Sequence, residues 1–264
     1  MIELVNVRKV FNPKTVNENV AIKGLNLKIE KGEFVAVIGS NGAGKSTMLN
    51  LIAGILSPDG GHVLANGRDI TALADYKRAS FIGSVFQDPL SGTAKSLTIE
   101  ENLAIALKRG HGRWFRKGVN RKKRQFFTGK LATLGLGLES RLKTNAGLLS
   151  GGQRQCLTLL MAVMANPEIL LLDEHTAALD PKTAELVMSL TRKLVEEMNL
   201  TCLMVTHNMK QAIEFGSRII MMHGGEVVVD VSGAERQGLK VADLMHMFEQ
   251  VRGEGIEDDK LLLS

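Results

Sequence analysis

Cysteine is scarce in this 264-residue chain, and the two present exclude more than they offer. Cys156 and Cys202 lie inside apolar runs with no CxxC spacing and no neighbouring histidine, so buried reduced thiols are expected in place of a disulfide or a metal site. Long apolar runs are missing as well: none approaches the roughly 18 residues that a bilayer-spanning helix needs. The start, MIELVNVRKVF, alternates like a strand and lacks the basic head and apolar core of a secretory signal, so a chain that stays in the cytosol is the expectation. No internal repeat or low-complexity tract is visible. Acidic residues are absent between Asn102 and Leu138, where ten Lys or Arg fall; against a net charge of +5, the rest of the chain is net −5. The positive charge is one local patch, densest in RWFRKGVNRKKR at 113–124. Such a patch could meet nucleic acid, anionic lipid head groups or an acidic protein surface, or simply be a solvated helix face.

A 44% hydrophobic composition is enough to bury a core without covalent staples. EFVAVIG at 33–39 is short, β-branched and closed by glycine, while KSTMLNLIAGIL after it has apolar residues at helical spacing, which predicts strand, loop, helix. Similar runs recur at 169–172 (ILLL) and 202–205 (CLMV), with helical segments between them. Buried strands separated by helices predict a parallel sheet covered on both faces, with its chemistry at the carboxyl ends of the strands. Asp180 and Pro181 read as N-cap and first turn of a helix whose apolar stripe is Val187, Leu190, Leu194 and Met198. The segment 88–165, with helical stretches and several glycines, reads as a separate helical lobe, and GEGIEDDKLLLS at the end as a fraying tail.

The polar residues at the strand ends carry the chemistry. GSNGAGKST, residues Gly39, Ser40, Asn41, Gly42, Ala43, Gly44, Lys45, Ser46 and Thr47, satisfies GxxxxGK[ST] with a strand before it and a helix after. In a P-loop the glycines let backbone amides wrap phosphates, Lys45 places a point charge at the β- and γ-phosphates, Ser46 ligates Mg²⁺, and Thr47 adds a hydroxyl near the α-phosphate. ILLLDE ends a strand in two acids: Asp173 is the candidate second support for Mg²⁺, and Glu174 the candidate base for an attacking water. Taken alone, that pair could equally be a helix cap or a solvated turn. VTH places His207 at a third strand end, where a capping or surface role is the plain alternative. LLSGGQRQ at 148–155 reads as a second helix start with bare N–H groups, a second anion site for which the chain itself gives no evident use.

Together, the P-loop, LSGGQ, the apolar run ending in DE and the later TH resemble the ATP-binding cassette family, the nucleotide-binding subunits of ABC transporters, over about residues 1 to 230. That resemblance implies an α/β P-loop NTPase fold with a mainly parallel sheet core, an N-terminal antiparallel β element and an inserted helical lobe. It divides the chain into a nucleotide-binding core at 1–87 and 166–230, the lobe at 88–165, and a C-terminal helix and tail at 231–264. It implies ATP and Mg²⁺ as cofactors and a head-to-tail pair of chains with each ATP between the P-loop of one and the LSGGQ of the other, which gives the second anion site its use. On matching positions, Ser150, Gly151, Gly152 and Gln153 would contact the opposite γ-phosphate. Gln87, in VFQDP, would sense Mg²⁺ and the attacking water; His207 would hold the γ-phosphate and that water. Asp180, in AALDP, would report one subunit's state to the other, and Phe11 would stack on adenine, although an ordinary edge-strand role competes for Phe11 because KTVNEN lengthens the loop after it.

The sequence departs from the family where Glu174 is followed by His175, Thr176, Ala177 and Ala178, the family usually having Pro-Thr-Ser-Gly or Pro-Thr-Ser-Ala; an active enzyme with altered coupling between sites is expected. LSGTAKSLTIEENL is also longer than the family pattern, at the place where the family meets its membrane partner. The implied function is a Mg-ATP hydrolase that powers a separate membrane permease, in the manner of bacterial importers and closest to amino-acid uptake, with an extracytoplasmic substrate-binding protein in the same system and the chain held on the inner face of the membrane. No nucleic acid is expected as a partner, although a cytosolic cassette ATPase acting on nucleic acid or ribosomes is the alternative that would employ the basic patch. A P-loop kinase would leave LSGGQ unexplained, and a regulator that binds ATP without hydrolysing it would leave Glu174 without a purpose.

Overall fold

The computed structural model describes residues 1–88, 92–110 and 118–252. Part of the basic stretch, the two residues opening LSGTAKSLTIEENL, and the tail GEGIEDDKLLLS therefore lie outside the described residues. In chain order the elements begin β1 (Ile2–Phe11), β2 (Asn19–Ile29), β3 (Phe34–Gly39), α1 (Lys45–Ala53), β4 (Gly60–Ala65) and β5 (Arg68–Asp69). There follow α2 (Asp75–Arg78), β6 (Ile82–Val85), α3 (Ile99–Ala106), α4 (Arg121–Ala132), α5 (Gly151–Val163), β7 (Ile169–Asp173) and α6 (Pro181–Met198). The last are β8 (Thr201–Val205), α7 (Met209–Phe215), β9 (Arg218–His223), β10 (Glu226–Ser232), α8 (Gly233–Arg236) and α9 (Val241–Arg252).

Two compact units are formed, one from Met1–Asp75 with the chain from Thr201 onward, the other from Tyr76–Leu200. In the first, β1 pairs antiparallel with both β2 and β4, giving the N-terminal antiparallel element. All six residues of β3 are buried, and it runs parallel to β8 on one side and β9 on the other. An uninterrupted apolar run is what a strand covered on both faces requires. β10 returns antiparallel to β9 through a two-residue turn, His223 facing Glu226.

In the second unit β6 and β7 run parallel. α5 packs on β6 and on α6, which is why this unit extends beyond the helices of 88–165 to take in the strand pair and α6. α6 starts as read, with Asp180 as N-cap and Pro181 in the first turn, and buries Val187, Leu190 and Leu194. Cys156 and Cys202 are free and wholly buried, and burial pushes the Cys156 thiol up to about 11 and that of Cys202 further. No helix among the described residues is long and apolar enough to cross a membrane.

Two features of the second unit were not legible beforehand. Arg124, read as part of the patch, pairs with Glu100 through Nε to Oε2 at 2.6 Å and Nη2 to Oε1 at 2.9 Å, tying α4 to α3, while Lys123 donates to the Gly118 carbonyl at 2.6 Å. These two cations are thus partly committed within the unit. Asn102, on α3, is buried and organises the segment before that helix: its side chain accepts from Ala94 N at 2.8 Å and donates to the carbonyls of Ala94, Leu97 and Thr98. Asn102→Leu leaves those backbone groups without this partner, and a loss of about 1–3 kcal/mol is expected. Urea unfolding measures it; an unchanged midpoint would contradict this reading of the segment.

Candidate functional site

The first unit carries the P-loop between β3 and α1. Lys45 is buried, and its ammonium donates to the carbonyls of Gly39 at 2.7 Å and Ser40 at 3.0 Å, which holds the charge inside the loop. Ser40, Asn41, Gly42 and Ser46 reach solvent while Ala43 and Gly44 are buried; Thr47 is half-buried. No side chain caps α1, whose N-cap is Gly44, so its first amides stay directed outward as an anion site requires. Gly44 has φ 97°, and a Cβ there would lie 2.6 Å from the Ala21 carbonyl oxygen. The loop is backed by a residue that motif reading missed: Gly225, in the β9–β10 turn, donates to the Ala43 carbonyl at 3.2 Å. Gly225 has φ 85°, and its Cβ would come within 2.8 Å of the same Ala21 oxygen. The paired glycines in MMHGGEVVV, a hairpin signal, were the available clue.

His207 follows β8 and is half-buried. The cap of α7 is Asn208, whose Oδ1 accepts from Gln211 N at 3.0 Å, so capping is not the task of His207. Its turn is fixed by its neighbours, since Asn208 N donates to Thr206 Oγ1 at 3.0 Å. Phe11 closes β1 opposite Asn19, half-buried, with Lys9 Nζ 5.8 Å from its ring centroid. The lengthened loop beyond it is tied to itself, Lys14 N donating to Glu18 Oε2 at 2.6 Å.

The second unit carries the remaining motifs. Asp173 is the last residue of β7, and Glu174 after it has φ 45°, a left-handed backbone uncommon outside glycine. Gln87 is exposed just past β6. At α5 the expectation of bare amides needs correction in part. Ser150 Oγ accepts from Gln153 N at 3.2 Å and Gln153 Oε1 accepts from Ser150 N at 3.3 Å, a reciprocal capping box. Serine followed three residues on by glutamine was the sequence signal for it. The hydroxyl hydrogen of Ser150 is not used by that bond, and Gly151 and Gly152 N–H have no intrahelical partner.

The first turns of α5 and α6 lie against each other. A Cβ on Gly152 would fall 2.1 Å from Thr183 Cγ2, and one on Gly151 3.7 Å from Leu179 Cδ2, so this site brings together Ser150–Gln153 and the Asp180 turn. Asp180 Oδ1 accepts from Thr183 N at 3.1 Å, and hydrogen bonds from Thr183 hold its carboxyl below the usual range. His175 is buried, its carbonyl accepting from Gln155 Nε2 at 2.7 Å and its Nε2 standing 3.2 Å from Thr191 Oγ1. Burial pushes its pKa down to about 4, so the ring is neutral at pH 7. Neither Gln155 nor Thr191 carried a sequence signal, because the contacts join residues 20 and 16 apart. Among the described residues no group of three or more His, Cys, Asp or Glu gathers to hold a metal ion.

Comparison with known proteins places this arrangement. The ABC transporter family description matches residues 22–177. The chain is 45% identical over 249 residues to a tyrosine transport ATP-binding protein of Clostridioides difficile, covering 94% of this chain and 99% of that protein. It is 36% identical over 231 residues to the methionine import ATP-binding protein MetN of Halalkalibacterium halodurans, covering 86% of this chain and 65% of that one. Among solved structures, the ATP-binding cassette MJ0796, a dimer in a post-hydrolysis state with ADP and Pi, aligns with a TM-score of 0.76 at 35% identity, over 88% of this chain and 98% of that one. The chain therefore belongs to the ATP-binding cassette family of ABC transporters. It is an ATP-binding and ATP-hydrolysing cassette with the P-loop NTPase α/β fold of that family.

Gly225→Ala tests the backing of the P-loop from outside any motif. Left-handed strain and the contact with Ala21 should lower stability by about 1–3 kcal/mol and weaken ATP binding. Urea unfolding with nucleotide titration reads both, and unchanged ATP affinity would show that the β9–β10 turn does not support the loop.

Proposed function

We propose that the chain is the ATPase subunit of an amino-acid importer and works as a head-to-tail pair, docked through a separate permease on the inner face of the cell membrane and served by an extracytoplasmic binding protein. One observation carries the pairing: a single chain presents two helix starts prepared for an anion, the uncapped α1 with Lys45 and the α5 turn with the amides of Gly151 and Gly152. One nucleotide per chain needs one P-loop, so the second donor set has a task only toward the nucleotide of a second copy. Amino-acid import is supported by the relatives named for tyrosine transport and methionine import.

The residues present fit Mg-ATP. The Lys45 ammonium is already held inside a loop of outward amides, as a polyphosphate requires. Ser46 and Asp173 supply hard oxygen donors of the kind Mg²⁺ takes, and a phosphate-bound Mg²⁺ needs only one or two protein ligands. When bound, the metal neutralises phosphate charge. In this reading the amides of residues 39–47 orient the phosphates, with Lys45 at the β- and γ-phosphates, Thr47 near the α-phosphate and Phe11 against adenine. Gln87 and His207 place the attacking water, and Glu174 takes its proton. Ser150, through its uncommitted hydroxyl hydrogen, and the Gly151 and Gly152 amides grip the γ-phosphate of the other copy. Asp180 stands at the adjoining helix start and reports one subunit's state to the other. The helices of 88–165 carry the closing motion to the permease.

Glu174→Gln should bind ATP, accumulate a paired form on size-exclusion chromatography and lose about 10²–10⁴ in turnover. Turnover near wild type would remove Glu174 as the base. Ser150→Arg should abolish turnover while leaving ATP binding to the single chain intact, and normal hydrolysis by it would contradict the shared site. For the substrate, reconstitution with a candidate permease and uptake of labelled tyrosine against labelled sulfate checks the class; accumulation of sulfate alone would refute amino-acid import.

A further inference from the structure

The peptide after Glu174 begins at a residue other than proline, so its φ is not locked by a ring. Glu174 itself sits in a left-handed conformation, φ 45°, which costs an L-residue energy and persists only where the surroundings impose it. Three hydrogen bonds surround this point. Ala177 N donates to the Glu174 carbonyl at 3.0 Å. Gln155 Nε2, wholly buried on α5, donates to the His175 carbonyl at 2.7 Å. The third, from the His175 ring to α6, has a direction that can be deduced. Thr191 has one hydroxyl hydrogen, and it goes to the Val187 carbonyl at 2.8 Å. The imidazole nitrogen 3.2 Å from that oxygen must then be the donor, so His175 carries its hydrogen on Nε2.

We propose that His175 is a positioning residue for hydrolysis: clasped between Gln155 of α5 and Thr191 of α6, it holds the backbone of Glu174 so that the carboxylate meets the attacking water. This rests on the reading of Glu174 as the base. The clasp draws on the two helices whose first turns carry Ser150–Gln153 and Asp180. Gln155 lies about one turn beyond Gly152 on α5. A displacement of that helix start is therefore passed to the peptide joined to Glu174 through a single hydrogen bond. Proline at this position would restrict its own φ but offer neither helix a donor. His175 replaces a local constraint by a link to both.

The test uses steady-state ATP hydrolysis by the full chain, with kcat and KM measured separately and thermal unfolding recorded for every variant. His175→Phe keeps the ring's bulk, removes the donor and leaves the Thr191–Val187 bond in place. Its kcat should fall about 10- to 100-fold, as a misplaced catalytic group does, with KM for ATP changed by less than about twofold. His175→Gln returns an N–H near the position of Nε2 and should recover most of kcat, a rescue that general packing would not give. Thr191→Val removes the acceptor and should reproduce the loss; it carries the test if His175→Phe does not fold. Introduced into Glu174→Gln, His175→Phe should lower turnover no further. A folded His175→Phe with kcat within about twofold of wild type, or an equal loss in His175→Gln, overturns the proposal. Wild-type turnover in Glu174→Gln alone would remove the base and this assignment with it, whereas loss there with none in His175→Phe removes this assignment alone.

Discussion

A polyphosphate bound to protein must find donors that the fold has organised but not consumed. The helices of this chain show how selectively that condition is met. α3, α4, α5, α6 and α7 each close their first turn with a side chain, from Thr98, Asn120, Ser150, Asp180 and Asn208 in turn. α1 does not, and neither does the four-residue α8: the N-cap of α1 is Gly44, and Lys45 beside it donates to the carbonyls of Gly39 and Ser40. An uncapped helix start is unfavourable by itself. It becomes favourable with an anion present, so ligand binding and local stability are linked at this loop.

The same reasoning applied to α5 gives a graded result. Its cap exists, yet it is built so that serine accepts and keeps its own hydrogen, while two glycines keep the surface bare of side chains. Those glycines also answer to packing, since Gly152 lies against Thr183 with no room for a methyl group. One residue thus serves the contact between α5 and α6 and the exposure of backbone to a ligand. This convergence makes LSGGQ hard to vary for two physical reasons at once. It also means that a disturbance at Gly152 is felt at the Asp180 turn.

Much of this was legible because it is local. Strand, loop and helix around GSNGAGKST follow from periodicity and glycine, Asp180-Pro181 announces its helix, and ILLL and CLMV read as buried strands. The pieces that escaped are those set by distant partners. Gly225 supports the P-loop from the far end of the chain, Gln155 reaches a carbonyl 20 residues away, and Arg124, within the basic patch, is paired with Glu100 on α3. His175 was visible only as a departure from a pattern; its burial and its link to Thr191 came from packing. The capping box at α5 stands apart, for Ser150 and Gln153 stand at the serine-x-x-glutamine spacing that marks one in sequence.

In the proposed pair no single copy of this chain completes a working pocket, because the donors on α1 and those on α5 serve different nucleotides. ATP turnover per molecule, followed as the protein is diluted until light scattering shows it monomeric, addresses it directly. A shared pocket requires specific activity that falls steadily with dilution and vanishes in the monomeric range while ATP still binds. Specific activity that stays constant down to demonstrable monomers would contradict it.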